Sequence, residues 1–243
     1  MMRLIEIAIR FFKGDDYRPD PRIPKVAIFS LAYRRLIWAA RGILMGLASP
    51  FHPKDFVFVG PAVEIRNSSL VRIGGGSTLA RGVLIDGLSE GGVNIGRNVS
   101  IGPYSQIEAT GIITFLGKGF TIGDNSGMGA FSFVGAAGGV RIGNDVIMGQ
   151  RVSFHSEDHR FDEINIPIHM QGVTRKGIEI GDDCWIGAGV TFLDGTHVGS
   201  GCVIGAGAVV KGFIPQDSVA VGVPVRVIRK RGNDHLPPLK VRS

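Results

Sequence analysis

The sequence predicts an all-β parallel β-helix, a solenoid of hexapeptide repeats, with an N-terminal helical extension. Three observations carry this prediction. Ile180, Ile186, Phe192, Val198, Ile204 and Val210 recur every six residues without interruption. The same step links Ile73, Leu79 and Ile85, then Ile95, Ile101 and Ile107, then Ile122, Met128 and Val134, then Ile142, Met148 and Phe154. The residue that follows each of these is usually Gly, Ala or another small one. A helix repeats its apolar positions every three or four residues and a half-buried strand every two, so neither produces this period.

Each hexad contributes one aliphatic side chain to a stacked core, and Gly, Asn and Asp turn the chain at the corners, where positive φ angles are often needed. Three flat segments make one coil. No single coil buries its own aliphatics, so stability comes from stacking neighbours. The 37 glycines therefore belong to corners and not to disorder. Period alone does not overturn the rule that parallel β crossovers are right-handed.

Composition shifts divide the chain into a helical start over 1–50, a solenoid over 51–215 with an inserted loop at 155–179, and a cap with a polar tail over 216–243. In the first segment, helical spacing brings Arg3, Glu6, Arg10 and Lys13 into one arc, while Leu4, Ile5, Ala8, Ile9, Phe11 and Phe12 cover much of the rest. This is an amphipathic helix with a mainly cationic polar stripe. After a Pro-containing break, VAIFSLAYRRLIWAARGILMGLA reads as a second apolar helix interrupted by Arg34, Arg35 and Arg41. The first is too short to span a bilayer, and paired arginines would be costly at its centre in the second. Two readings stand for residues 1–49: packing on the solenoid end or a sister subunit, or peripheral contact with a membrane surface.

The hexad rhythm stops at SFHSEDHRFDEINIPIHMQG, residues 153–172, which hold three of the six histidines. Loops held on a rigid scaffold are where chemistry concentrates. His155, Glu157, Asp158, His159 and Asp162 are also of metal-ligand type, which leaves a zinc reading open beside a catalytic one.

The inserted His loop, the following WIGAG and the closing GVPVRVIRK resemble the hexapeptide-repeat acyltransferases, above all the polysaccharide and sugar O-acetyltransferases. The resemblance covers roughly residues 57–231. It implies a left-handed coil, a homotrimer and an active site walled by the excursion between neighbouring subunits. It also implies acetyl-CoA as co-substrate and no metal. His159 falls at the family's catalytic histidine, with His155 as its rival, and Asp158 or Glu157 is the acid that would hold the second imidazole nitrogen. A neutral imidazole titrating near operating pH suits removal of a hydroxyl proton. The developing oxyanion requires backbone N–H donors, which glycine-rich rungs such as WIGAG can supply.

By the same resemblance the pantetheine arm runs past Trp185, Ala188 and Ala206, Arg226 and Arg229 meet the nucleotide phosphates, and Lys211 falls at a further donor-site position from which it could reach a phosphate. Lys211 stands where some relatives carry threonine, which leaves a surface role open for it. His169 reads as a loop or acceptor-facing residue and His197 as a corner residue. Gly129 stands where the maltose and galactoside enzymes carry an asparagine, which argues against a free sugar acceptor. The implied function is O-acetyl transfer to a sugar hydroxyl of a surface polysaccharide or its lipid-linked precursor. N-acetylation of an amino sugar, or a non-catalytic or metal-dependent binding scaffold, are the alternatives.

Lysine and arginine number 27 against 21 acids, a net charge of +6 that suits CoA phosphates or anionic lipid. The basic residues are scattered and form no nucleic-acid motif, so no nucleic-acid partner is expected. A cytoplasmic location, at the inner face of the cytoplasmic membrane if residues 1–49 bind lipid, fits this set. Cys184 and Cys202, the only cysteines, lie eighteen residues apart at equivalent hexad steps, which would stack them in adjacent coils without calling for a disulfide.

Overall fold

A computed structural model describes residues 20, 22–48 and 56–232. The amphipathic segment 1–13, His52, His235 and the polar tail lie outside the described residues. Among the described residues one helix, α1 (Lys25–Ala48), precedes a coil of short strands laid out in three parallel sheets. Along the first face run Phe58–Val59, Thr78–Leu79, Ser100–Ile101, Gly127–Met128, Ile147–Met148, Trp185–Ile186, Val203–Ile204 and Ser218–Val221. The second face runs from Glu64–Arg66 to Val209–Val210, and the third from Val71–Ile73 to Phe213–Ile214.

The hexad residues form three vertical columns. Leu79, Ile101, Met128, Met148, Ile186 and Ile204 stack in register on the first face. Ile85, Ile107, Val134, Phe154, Phe192 and Val210 do so on the second. Ile73, Ile95, Ile122, Ile142, Ile180 and Val198 fill the third. All are buried, so every hexad position read from the sequence is a core position. Phe154 and Phe192 stack at 4.8 Å between ring centroids.

The corners divide by chemistry. Between the third and first faces the left-handed backbone positions are Gly76, Asn98, Asn125, Asp145, Asp183, Gly201 and Asp217, residues that tolerate that region. Between the first and second faces the equivalent positions include Tyr104, Phe131 and Arg151, each at φ 58°. There each residue's N–H is bonded to the rung before it, and the Tyr104 and Phe131 rings stack at 5.4 Å, so tertiary contacts hold a conformation that these side chains disfavour alone.

The remaining corner, between the second and third faces, carries all the long excursions. Ile85 precedes Ile95 by ten residues, Ile107 precedes Ile122 by fifteen and Phe154 precedes Ile180 by twenty-six, each where the regular step is six. The last excursion occupies 156–177, slightly less than the expected 155–179, because His155 and Ile178 are still laddered into the second and third sheets.

α1 covers the first coil. Gly42 approaches the Val57 carbonyl so closely that a Cβ would come within 2.0 Å of its oxygen. The Arg35 guanidinium lies 4.7 Å from the Phe58 ring centroid and donates to Thr78 Oγ1 at 2.7 Å, and Met45 packs on the core. At the far end Arg226–Lys230 folds back antiparallel on Ser218–Val221, past the expected solenoid end at 215, and terminates the ladder. No helix among the described residues is long and apolar enough to cross a membrane.

Candidate active site

The 156–177 excursion is a small hairpin. Asp158–His159 pairs antiparallel with Val173–Thr174, His159 opposite Val173, and a 3₁₀ turn at Ile168–Met170 closes the far end. Its return is fixed by Asp194. This carboxylate, 2% exposed, accepts the backbone N–H groups of Lys176 and Gly177 at 2.8–3.0 Å. Its start is fixed by Ser156, whose hydroxyl donates to the Gly135 carbonyl and accepts the Gly138 N–H.

His159 is exposed, and its ring has no hydrogen-bond partner among the described residues. His155 is exposed on the second face with its ring 5.7 Å from that of Phe133. The structure departs from the sequence reading at the acids. Asp158 is paired with Lys211 at 2.9 Å, and Glu157 with the Nε of Arg175 at 2.6 Å. Neither therefore holds an imidazole within this chain. Adjacent strand residues point to opposite sides, which separates the Asp158 carboxylate from the His159 ring and carries it toward the rung of Lys211. Lys211, read as able to reach a phosphate, is likewise engaged at the hairpin.

Trp185, 59% exposed, stands on the first face between Ile147 and Val203. Ala188 and Ala206 occupy the same turn in consecutive coils, with Gly207 N–H donating to the Ala188 carbonyl at 2.9 Å. The Ala188 and Ala206 N–H groups themselves donate to no acceptor among the described residues, while their neighbours Gly187, Gly189 and Gly207 are spent on the ladder. This corner thus presents small side chains and unspent donors, the surface a flat polar arm requires. Arg226 pairs in register with Val221, which packs over Gly205, so it lies one rung beyond Ala206; Arg229 sits farther along the same strand, opposite Val219.

His169 is exposed on the 3₁₀ turn, and His197 stacks on Phe213 at 5.5 Å with Nδ1 3.2 Å from Glu179. Among the described residues no group of three or more His, Cys, Asp and Glu side chains gathers at metal-binding distance. Sequence reasoning missed the 110–117 excursion, although the fifteen-residue step from Ile107 to Ile122 marked it. A cavity of about 360 Å³ opens between it and the hairpin, lined by Phe115, Leu116, Lys118, Arg160, Val173 and Thr174 among others.

The family described as bacterial transferase hexapeptide (six repeats) matches residues 177–212. WbbJ of Escherichia coli, named for O-acetyl transfer in lipopolysaccharide biosynthesis, is 30% identical over 155 residues, which span 60% of this chain and 76% of WbbJ. The chain belongs to the hexapeptide-repeat transferases. A second relative, Rv3034c of Mycobacterium tuberculosis, named as an acetyltransferase, is 38% identical over 63% of this chain, which spans about half (49%) of that relative's length. A structure of AntD, an N-acyltransferase from Bacillus cereus, in complex with dTDP-4-amino-4,6-dideoxyglucose and coenzyme A, has the same fold at a TM-score of 0.53 and 19% identity, over 79% of this chain and 89% of that one. The three-sheet coil is the left-handed parallel β-helix of the hexapeptide-repeat transferases.

Proposed function

We propose that this chain transfers an acetyl group from acetyl-CoA to a sugar hydroxyl of a surface polysaccharide or its lipid-linked precursor, with His159 as general base. The observation that carries the reading is the hairpin, which interrupts the coil to present an exposed imidazole on a rigid scaffold. The kinship with WbbJ supports hydroxyl transfer and a polysaccharide acceptor.

A thioester is already activated, so the chain's task is to hold its carbonyl beside the acceptor and take one proton. The imidazole of His159 removes the hydroxyl proton as the acceptor oxygen bonds to the carbonyl carbon. The N–H of Ala188 or Ala206 receives the resulting oxyanion. Collapse breaks the carbon–sulfur bond, and the imidazolium returns its proton to the departing CoA thiolate. The products are a sugar ester and free CoA. Trp185 walls the acetyl end, and Arg226 and Arg229 face the phosphates. A homotrimer completes the groove between subunits. A lipid-linked acceptor would bring a membrane surface against the outer face of α1, where Val26, Leu36 and Leu44 are exposed while its inner face packs on the first coil.

The test is CoA release from acetyl-CoA with a mixture of hydroxyl-bearing glycans and amino sugars. His159→Ala slows release by about 10²–10⁴ while CoA affinity and assembly stay intact. Acetyl appearing on an amine but on no hydroxyl would replace this reading with N-acetylation.

A further inference from the structure

The 110–117 excursion and the hairpin bearing His159 meet at one side chain. Arg175, only 7% exposed, donates from Nε to Glu157 at 2.6 Å. Its Nη1 donates to the carbonyls of Phe115 at 3.2 Å and Leu116 at 3.0 Å, and Nη2 to Phe115 at 3.2 Å. The guanidinium carbon lies 3.7 Å from the Phe115 ring centroid. One planar cation thus satisfies a carboxylate just before the hairpin's outgoing strand and two carbonyls of the neighbouring excursion while stacking on that excursion's aromatic ring. Lysine cannot reproduce such a fork, because its ammonium is a point charge that cannot stack and bridge together.

Among the described residues no other hydrogen bond or ion pair joins the two segments. The 110–117 excursion is otherwise bonded to the preceding one, through Thr110 Oγ1 to the Leu88 carbonyl and Glu90 N–H to the Gly117 carbonyl. The cavity between the excursions takes Phe115 and Leu116 from one wall and Arg160, Val173 and Thr174 from the other. Its shape therefore depends on how the walls are joined. We propose that Arg175 is a positioning residue that locks the 110–117 excursion onto the His159 hairpin, fixing both the imidazole and the wall of a pocket for the acceptor. The role in transfer rests on the reading of His159 as the base.

Two readouts on the full chain test it. The first is hydrogen exchange, which needs no activity. Arg175→Ala speeds exchange in 110–117 and in 157–160 together by about tenfold or more as their shared tie is lost. Arg175→Lys keeps the Glu157 pair and protects 157–160, but leaves 110–117 fast. Unchanged exchange in 110–117 in both variants overturns the proposal. The second is steady-state kinetics: Arg175→Ala lowers kcat by about a hundredfold, the cost of a small misplacement of a catalytic group. It also raises the acceptor KM and leaves the acetyl-CoA KM within about twofold, with Arg175→Lys intermediate. A lower melting temperature with kcat unchanged at saturating substrate overturns the positioning role. Should Arg175→Ala not fold, Glu157→Gln takes its place, with faster exchange in 157–160 and a smaller loss of kcat; wild-type exchange and kcat in that variant overturn the proposal. A wild-type chain inactive with acetyl-CoA refutes the functional reading instead, and the exchange experiment then decides the clamp alone.

Discussion

The Lys211 ammonium lies 2.9 Å from the Asp158 carboxylate, so the residue beside His159 is tied to the coil two rungs farther along the second face. Both side chains are partly exposed, and such a pair contributes at most about 1 kcal/mol to stability. Its effect is on the hairpin's position. Lys211→Ala leaves the melting temperature nearly unchanged, lowers transfer several-fold, and changes CoA affinity by less than about twofold. Isothermal titration with CoA checks this, since a lysine devoted to phosphate would lose far more.

The two hairpin histidines separate by substitution. His159→Ala lowers kcat by about 10²–10⁴, the usual contribution of a general base. His155→Ala removes a ring that rests against Phe133 and lowers kcat by less than about tenfold, within what loosened packing costs a nearby base. Parallel kcat measurements at saturating acetyl-CoA distinguish them.

The donor groove is tested at Ala206, an exposed small residue on the corner column. Ala206→Trp raises the acetyl-CoA KM about tenfold or more by filling the path of the pantetheine arm, while stability moves by less than about 0.5 kcal/mol, as for most exposed positions. An unchanged KM would move the groove elsewhere.

How much of this was legible in the sequence differs by element. The coil was, because each hexad places one aliphatic such as Ile186 or Phe192 in a column whose neighbours share its register. The hairpin's existence was legible as a broken rhythm. The acids were not, because a strand's alternation and the partners Arg175 and Lys211 decide where Glu157 and Asp158 point, and those partners lie 18 and 53 residues away. Corners such as Tyr104 and Phe131 were equally opaque, since nothing local in an aromatic side chain announces a left-handed backbone.

Phe154 and Phe192, both fully buried and stacked, anchor the coil at the point where the chain enters the hairpin. Phe192→Ala destabilises the fold by about 3–5 kcal/mol, the range for removing a buried aromatic. Urea unfolding followed by circular dichroism at fixed protein concentration measures this.

Cys184 and Cys202 are buried free thiols on the inside of one corner, each directed at a carbonyl of the next coil, Gly199 and Pro215 respectively. Burial pushes the Cys184 thiol up to about 11 from 9.0 and raises Cys202 in the same direction. A raised folded-state value means that both thiols favour folding below the unfolded value and that this contribution fades as pH climbs from about 9 toward 11. Iodoacetamide therefore labels neither in the native protein at pH 8 and labels both in urea, which intact-mass spectrometry reads directly.

A crystal structure with CoA bound shows whether the imidazole of His159 faces the thioester. The expected result is the pantetheine arm along Ala188 and Ala206, with the CoA sulfur beside the His159 ring so that an acceptor hydroxyl at the acetyl carbon falls within about 2.6–3.2 Å of a ring nitrogen. A sulfur that ends away from every His159 ring of the assembly would contradict it.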